Sequence, residues 1–200
     1  MENKVDQSLL QGAIEFAAKK HAEQVRKGTS IPYFTHVMEV MEIVCRMIDD
    51  EEIRAAAVLH DTLEDTDTTK EELVRNFGQK VADLVAAESE DKREDQPAEE
   101  TWIVRKMETI NHMKKACTEV RMIALGDKLS NVRAMSRDYK VVGEQLWQRF
   151  NEKDPMKQGM YYGSLANAFG EDDTIRETEA YKEYVELCKG LFKDNYDVIF

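Results

Sequence analysis

The chain has 200 residues, 34% of them charged, and a formal net charge of -12. This length allows a sizeable core, in one domain or in two small ones. The acidic charge argues against wholesale binding to nucleic acids or membrane surfaces, because no basic face dominates.

Two further features of the sequence concern location. It contains no apolar run long enough to span a bilayer, and its N-terminus has no signal-peptide pattern. Cys45, Cys117 and Cys188 are widely spaced and form no CxxC motif, which is typical of reduced, packed thiols. We therefore predict a cytoplasmic protein without a membrane partner.

Helical periodicity runs through nearly the whole chain. No two alternating strands joined by a hairpin turn stand out, and each proline falls at a predicted break or helix start. The pattern predicts an all-α helical bundle of about eight to ten helices with no substantial sheet.

The first predicted helix runs from about Ser8, a suitable N-cap, to about Val25. His21 lies on its apolar stripe, and we expect it to cap the core or to bind a neighbouring carboxylate rather than a metal. The basic loop 26–33 follows, which by itself is typical of a solvated surface loop.

Two histidines are predicted to face one interior. A second helix is predicted from about Thr35 to Asp49, and His36 is the first residue of its buried face. A third helix begins at about Asp50 and carries a stripe at helical spacing, formed by Ile53, Ala57, His60 and Glu64.

The stretch around His60-Asp61 places Glu64 and Asp65 one helical turn later. A histidine beside an aspartate is usually only a hydrogen-bonded pair. Buried carboxylates are costly, however, unless a cation or hydrogen bonds compensate. A bound divalent metal would account for these polar groups next to an apolar run.

The second half of the chain repeats the helical pattern. Thr69 and Glu72 form a predicted capping box, a helix covers about 79–90, and the charged loop 91–97 is either solvated or a lid. Predicted helices then cover about 101–115, 118–137 with Thr118 as N-cap, 155 to just before 170, and 174–192.

Asp127 interrupts the apolar face of the predicted 118–137 helix. Gly126, just before it, lacks helix propensity and predicts a close approach by another backbone. Two imidazoles and two carboxylates would then point inward, a set that suits Mn, Fe, Co, Ni or Zn rather than an all-oxygen calcium site. The predicted metal ligands are His36, His60, Asp61 and Asp127.

This order of ligands resembles the HD superfamily of metal-dependent phosphohydrolases. More narrowly, the chain resembles the hydrolase domain of RelA/SpoT-type enzymes and the small stand-alone alarmone hydrolases. The resemblance rests on Arg26-Lys27-x4-Pro32-Tyr33-x2-His36, on His60-Asp61-Thr62-Leu63-Glu64-Asp65-Thr66, on Leu125-Gly126-Asp127-Lys128-Leu129-Ser130-Asn131-Val132-Arg133 and, more weakly, on Tyr162-Gly163-Ser164-Leu165-Ala166.

The resemblance implies a single HD-type hydrolase domain over residues 1–200, with the motifs within residues 8–170 and a C-terminal helix at 174–192. The resemblance implies one bound divalent ion, with Mn²⁺ as the first candidate. It also implies that a metal-activated water removes the 3′ pyrophosphate of guanosine tetra- or pentaphosphate. Glu64 and Asp65 would serve this water and its proton. The resemblance places Asn131 near the ribose and Arg26 over the base or the phosphates. The other predicted substrate-binding residues are Lys27, Arg105, Lys128 and Tyr162.

The sequence also departs from the family pattern. The basic loop is one residue longer than usual, Ser130 stands where histidine is usual, and Ala134 stands where threonine is common. One alternative is therefore an HD nucleotidase or phosphodiesterase that acts on another nucleotide. Another is a non-catalytic nucleotide-binding module, against which the intact Glu64 and Asp65 argue.

Overall fold

The computed structural model describes residues 7–90, 93 and 95–192. In these residues the regular structure is helical, and Val25 and Pro32 form an isolated antiparallel bridge. The all-α prediction is confirmed. The helices are α1 (Gln7–Lys20), α2 (Phe34–Met47), α3 (Glu51–Leu59), α4 (Thr62–Asp65), α5 (Lys70–Phe77), α6 (Gln79–Glu88), α7 (Ala98–Met113), α8 (Thr118–Val142), a 3₁₀ helix (Gly143–Arg149), α9 (Pro155–Gly170), α10 (Asp173–Arg176) and α11 (Glu179–Phe192).

The described residues group into two compact units. The first contains residues 7–89 and 122–127, and the second contains the described residues of 90–121 and 128–192. Helix α8 contributes to both units. None of the described helices is both long enough and apolar enough to cross a lipid bilayer.

Helix α3 is the central element of the first unit. It packs against α1, α2 and α6, and residues 55–59 have no exposed surface. A helix that is buried on all sides is apolar all round. The chain therefore carries the next residue, His60, directly into the interior, where only 1% of its surface is exposed.

The second unit has an aromatic core around α9, which packs against α7, α10 and α11. The rings of Tyr162 and Phe192 stack with their centroids 5.5 Å apart. The ring of Trp147 also stacks with that of Phe192, at a centroid distance of 5.8 Å. Stacked aromatic pairs add to the free energy gained from burial. This core joins the 3₁₀ helix to α9 and α11.

Gly126 occupies a close approach between α8 and α2, as the sequence predicts. A Cβ atom at this position would lie 3.0 Å from Val44 Cγ2, 3.3 Å from Val40 Cγ1 and 3.4 Å from the Val40 carbonyl oxygen. A Cβ at these distances would require the Val44 and Val40 side chains to move by a few tenths of an ångström. The close approach brings Asp127, the next residue, to the level of His36 on α2.

The predicted continuous helix through His60 and Glu64 is wrong. Helix α3 ends at Leu59, and Asp61 adopts φ -93° and ψ 0°, in the bridge region between helix and strand. The Thr62 hydroxyl donates to the Leu59 carbonyl at 2.7 Å and takes part in closing the turn. Glu64 and Asp65 consequently belong to the separate short helix α4.

Several predicted helix boundaries also need correction. Helix α1 ends at Lys20 rather than at about Val25, α8 continues to Val142, and the predicted last helix is split into α10 and α11. Thr118 is not the N-cap of α8 but its first residue, after Cys117, and its hydroxyl donates to Asp172 at 2.6 Å. The side chain of Ser8 and residues 91, 92 and 94 of the charged loop lie outside the described part of the chain.

The three cysteines have different environments. Cys188 is buried and Cys45 is half-buried, but Cys117 is exposed. The prediction of packed thiols is therefore wrong for Cys117.

Candidate metal centre

Three buried side chains from α2, the α3–α4 turn and α8 meet inside the first unit. The imidazoles of His36 and His60 and the carboxylate of Asp127 each offer an atom within 4.8 Å of the other two. His36 Nε2 lies 3.2 Å from Asp127 Oδ1, and His60 Nε2 lies 3.9 Å from the same oxygen. Two ligands at about 2.0–2.2 Å from one ion are at most about 4.4 Å apart, and both separations from Asp127 Oδ1 fall within this limit.

Asp61, the fourth predicted ligand, lies against the two histidines. Its Oδ2 atom is 2.8 Å from His60 Nε2 and 3.6 Å from His36 Nε2. These separations also fall within the reach of one ion. The residues that the sequence places in three separate segments thus present nitrogen and oxygen atoms to one small volume.

The orientation of the His60 ring fits a metal ligand. Its Nδ1 atom lies 2.9 Å from the Ala57 carbonyl oxygen, and since a carbonyl only accepts, Nδ1 carries the hydrogen. Nε2 is buried and makes no hydrogen bond, although Asp61 is close. A ring whose Nδ1–H is tied to a backbone carbonyl directs the Nε2 lone pair at a metal.

The carboxylates control the electrostatics of the metal-free site. Burial by itself lowers the pKa of His60, but the charges of Asp61 and Asp127 outweigh burial and raise this pKa to about 9. Burial would raise the pKa of Asp61, yet the adjacent imidazoles of His60 and His36 hold it well below its ordinary value. A site with this much negative charge attracts a cation, which at neutral pH would displace the His60 proton.

Tyr33, immediately before α2, contacts this centre directly. Its hydroxyl donates to Asp61 Oδ2 at 2.5 Å. Burial, followed by the negative charge of Asp61, raises the pKa of Tyr33 far above its ordinary value, so the hydroxyl keeps its proton and remains a donor. The tyrosine ring lies 5.4 Å from the His36 ring, centroid to centroid.

The predicted substrate residues of the first unit lie on the loop that leads to Tyr33. The Arg26 guanidinium carbon is 5.5 Å from the centroid of the Tyr33 ring, a cation–π contact. The Arg26 amide donates to the Ile31 carbonyl at 2.8 Å and closes the loop. Lys27, at the loop's turn, is exposed.

Glu64 and Asp65, the predicted catalytic carboxylates, are half-buried residues of α4. The Asp65 amide donates to the Asp61 carbonyl at 2.9 Å. The Asp65 carbonyl accepts a hydrogen bond of 2.6 Å from the Gln24 side chain. The Asp65 end of the short segment from Asp61 to Asp65 is therefore bonded to Gln24, two residues before Arg26.

The other predicted substrate residues belong to the second unit. Lys128 and Asn131 are half-buried residues of α8. Arg105 is buried, and its guanidinium is held by the Glu90 carboxylate, the Thr101 hydroxyl and the Ala98 carbonyl. Tyr162 is part of the aromatic core, and its carbonyl accepts from the Tyr184 hydroxyl at 2.9 Å. Core and ion-pair packing account for the last two residues, and a substrate contact from any of the four stays a prediction.

Sequence reasoning missed the roles of Tyr33 and Gln24. Tyr33 stands three residues before His36, and this spacing can place two side chains on one side of a helix start. That signal was present in the Pro-Tyr-x2-His segment. Gln24 gives no comparable signal, because its contact with Asp65 depends on how the chain turns after α1.

The chain is similar to a known protein family and to several named proteins. The HD-domain profile matches residues 13–156. A Xenopus tropicalis protein named guanosine-3′,5′-bis(diphosphate) 3′-pyrophosphohydrolase MESH1 is 37% identical over 135 residues, which cover 66% of this chain and 72% of that protein. An Aquifex aeolicus protein named guanosine-3′,5′-bis(diphosphate) 3′-pyrophosphohydrolase is 38% identical over 126 residues, which cover 63% of this chain and 18% of that protein.

Two solved structures resemble the fold. One is of a metazoan ortholog of SpoT, described as hydrolyzing ppGpp, with a TM-score of 0.70, 25% identity, and coverage of 94% of this chain and 97% of that one. The other is of a Listeria monocytogenes EGD-e protein, with a TM-score of 0.69, 30% identity, and coverage of 83% of this chain and 99% of that one.

Proposed function

The chain belongs to the HD-domain family, and we propose that it is a Mn²⁺-dependent phosphohydrolase that removes the 3′ pyrophosphate of guanosine-3′,5′-bis(diphosphate). One observation carries the proposal. His36, His60 and Asp127 converge within 4.8 Å inside a buried core, and the Nδ1–H of His60 is tied to the Ala57 carbonyl. Mixed imidazole and carboxylate ligands suit Mn²⁺, Fe, Co, Ni or Zn, and the choice of Mn²⁺ follows the family resemblance.

In the proposed reaction, water attacks the phosphorus atom bonded to the ribose 3′ oxygen. The bond between that oxygen and phosphorus breaks, and pyrophosphate and guanosine diphosphate are released. A divalent ion held by His36, His60, Asp61 and Asp127 would lower the pKa of water and neutralise phosphate charge. Glu64 and Asp65 would accept the proton of the attacking water and return a proton to the 3′ oxygen.

The remaining assignments extend the same proposal. Arg26 and Lys27 would bind the base or the phosphates of the second diphosphate group, because an acidic chain must supply positive charge locally to hold a polyphosphate. By resemblance, Lys128, Asn131, Arg105 and Tyr162 would complete the substrate contacts. The proposal includes a cytoplasmic location. It also includes a single hydrolase domain, since α8 begins and ends in the second unit but supplies Asp127 to the first.

A substrate panel with product identification tests the proposed activity. Purified protein with Mn²⁺ is incubated separately with guanosine-3′,5′-bis(diphosphate), with ordinary nucleoside mono- and triphosphates, and with cyclic nucleotides. We expect pyrophosphate and guanosine 5′-diphosphate from the first substrate. Turnover of another nucleotide alone would favour the nucleotidase or phosphodiesterase alternative, and nucleotide binding without any turnover would favour the binding module.

A further inference from the structure

The hydroxyl of Tyr33 meets the oxygen of Asp61 that faces the metal centre. Tyr33 donates to Asp61 Oδ2 at 2.5 Å, and the same oxygen is 2.8 Å from His60 Nε2. A carboxylate oxygen has two lone pairs. It can accept from Tyr33 with one lone pair and coordinate an ion with the other.

The Tyr33 ring is held on several sides. It lies 5.2 Å from the His21 ring and 5.4 Å from the His36 ring, centroid to centroid, while the Arg26 guanidinium covers it. The Tyr33 amide donates to the Gln24 carbonyl at 2.8 Å. These contacts aim the hydroxyl independently of Asp61, so the hydrogen bond constrains Asp61 rather than Tyr33.

Asp61 needs such a constraint. It lies in the turn between α3 and α4, outside regular helix, and 16% of its side chain is exposed. A carboxylate at such a position can rotate towards water. By contrast, Asp127 is set within the long helix α8, next to the close approach at Gly126.

We propose that Tyr33 is a positioning residue of the metal centre, whose hydroxyl holds Asp61 Oδ2 towards His60 and His36 so that Asp61 completes the metal site. The inference rests on the proposed function, because it takes Asp61 as a metal ligand. Loss of a hydrogen-bonding partner behind a ligand typically weakens metal affinity about 10–100-fold. We expect a loss in that range for Tyr33→Phe, which keeps the ring and its packing.

The test compares Mn²⁺ affinity in the wild type, Tyr33→Phe, Asp61→Asn and Tyr139→Phe, measured by calorimetric titration without nucleotide. Tyr139→Phe is the matched control, since the Tyr139 hydroxyl also donates to a carboxylate, Glu144, on an exposed surface. The thermal unfolding temperature of each metal-free variant monitors folding. Turnover of guanosine-3′,5′-bis(diphosphate) at rising Mn²⁺ concentration monitors rescue.

The expected result is weaker Mn²⁺ binding for Tyr33→Phe and Asp61→Asn, unchanged binding for Tyr139→Phe, and recovery of Tyr33→Phe turnover at saturating Mn²⁺. Wild-type affinity in Tyr33→Phe would overturn the inference. Wild-type affinity in Asp61→Asn would overturn it as well, because Asp61 would then not be a ligand. A protein that binds Mn²⁺ as expected but leaves the nucleotide intact would contradict the proposed function and not the role of Tyr33.

Discussion

His60 shows how one residue's surroundings define the chemistry of the site. Its Nδ1–H is bonded to the Ala57 carbonyl, while its buried Nε2 faces the carboxylate of Asp61 at 2.8 Å. Without a metal, a protonated His60 compensates this carboxylate. In the proposed metal-bound state, the ion would replace that proton. The stability of the metal-free protein and its affinity for Mn²⁺ should therefore change with pH in opposite directions.

The first prediction concerns this pH dependence. The pKa of His60 is raised from 6.5 to about 9 in the folded, metal-free protein. A raised folded-state pKa gives stability that is fully present below the unfolded value and is lost as the pH rises through the folded value. We expect the unfolding temperature of the metal-free protein to fall between about pH 6.5 and 9, and Mn²⁺ affinity to rise over the same window.

Thermal unfolding with a chelator and calorimetric Mn²⁺ titration at several pH values check this prediction. His60→Asn should remove most of the slope in metal-free stability, and substitution of the exposed His112 should leave both slopes intact. Metal-free stability and Mn²⁺ affinity that are both constant over this window would contradict the assigned environment of His60.

The second prediction separates catalysis from metal binding at Glu64, a half-buried residue of α4. Glu64→Gln is nearly isosteric but cannot accept a proton. General acid–base groups contribute about 10²–10⁴ in rate, so we expect kcat to fall on that scale while bound Mn²⁺ is retained. Glu71→Gln, at an exposed position on α5, is the control. Loss of the metal in Glu64→Gln would show instead that Glu64 is a ligand.

At the scale of elements, the approach of α8 to α2 determines where Asp127 lies. In Gly126→Ala the new Cβ would lie 3.0 Å from Val44 Cγ2. Overpacking costs about 1–3 kcal/mol, and the better helix propensity of alanine offsets about 1 kcal/mol of it. We expect a net loss of about 1 kcal/mol in the free energy of unfolding, together with weaker Mn²⁺ binding.

Chemical denaturation and metal titration measure both effects. Gly190→Ala on α11 is the matched control, because a Cβ there meets nothing within 4 Å. The control should gain up to about 1 kcal/mol from helix propensity and leave Mn²⁺ affinity unchanged. If the two variants behave alike, the α2–α8 approach does not position Asp127.

The basic loop gives a prediction about the substrate. Arg26→Glu with Lys27→Glu reverses charge beside the centre without removing a proposed ligand. We expect KM for guanosine-3′,5′-bis(diphosphate) to rise strongly, more so at low salt where screening is weaker, and hydrolysis of a small artificial phosphodiester to change far less. The double reversal of the exposed Lys114 and Lys115 controls for overall charge. Equal losses on both substrates would mean that the loop supports the metal site in general.

The sequence predicts the elements of this molecule better than their junctions. Periodicity locates α2 and places His36 on its buried face, since repeated apolar residues force that face inwards. It misses the break at Asp61, because the residues on both sides favour helix and the turn depends on local bonds such as that between Thr62 and Leu59. The convergence of His36, His60 and Asp127 is predicted nevertheless, since residue types and their order do not depend on the exact helix boundaries.

The sequence could not reveal which cations are already engaged. Arg105 and Lys106 look like candidate phosphate ligands, yet both bind Glu90, which stands 15 and 16 residues earlier in the chain. Arg133 similarly binds Glu183 on α11. Such ion pairs join distant segments and leave no periodic signal. Charge alone therefore overstates the number of residues available to a nucleotide.

At the scale of the whole molecule, the proposed metal ligands come from two separate stretches of the chain that belong to the first unit. Residues 122–127 belong to the first unit, although the flanking parts of α8 belong to the second. A fragment that ended at Ser89 would lack Asp127, one of the three converging side chains. We therefore expect the proposed metal site to require residues 122–127 as well as the segment that ends at Ser89.

The central claim is that one ion, held by His36, His60 and Asp127, is required for hydrolysis of the nucleotide's 3′ diphosphate. The most direct measurement titrates metal-depleted protein with Mn²⁺ and follows pyrophosphate release from guanosine-3′,5′-bis(diphosphate). We predict that the rate rises until one equivalent is bound and then stays constant, and that His60→Ala shows no rise at these concentrations. Pyrophosphate release without metal, or a His60→Ala titration like that of the wild type, would contradict the account.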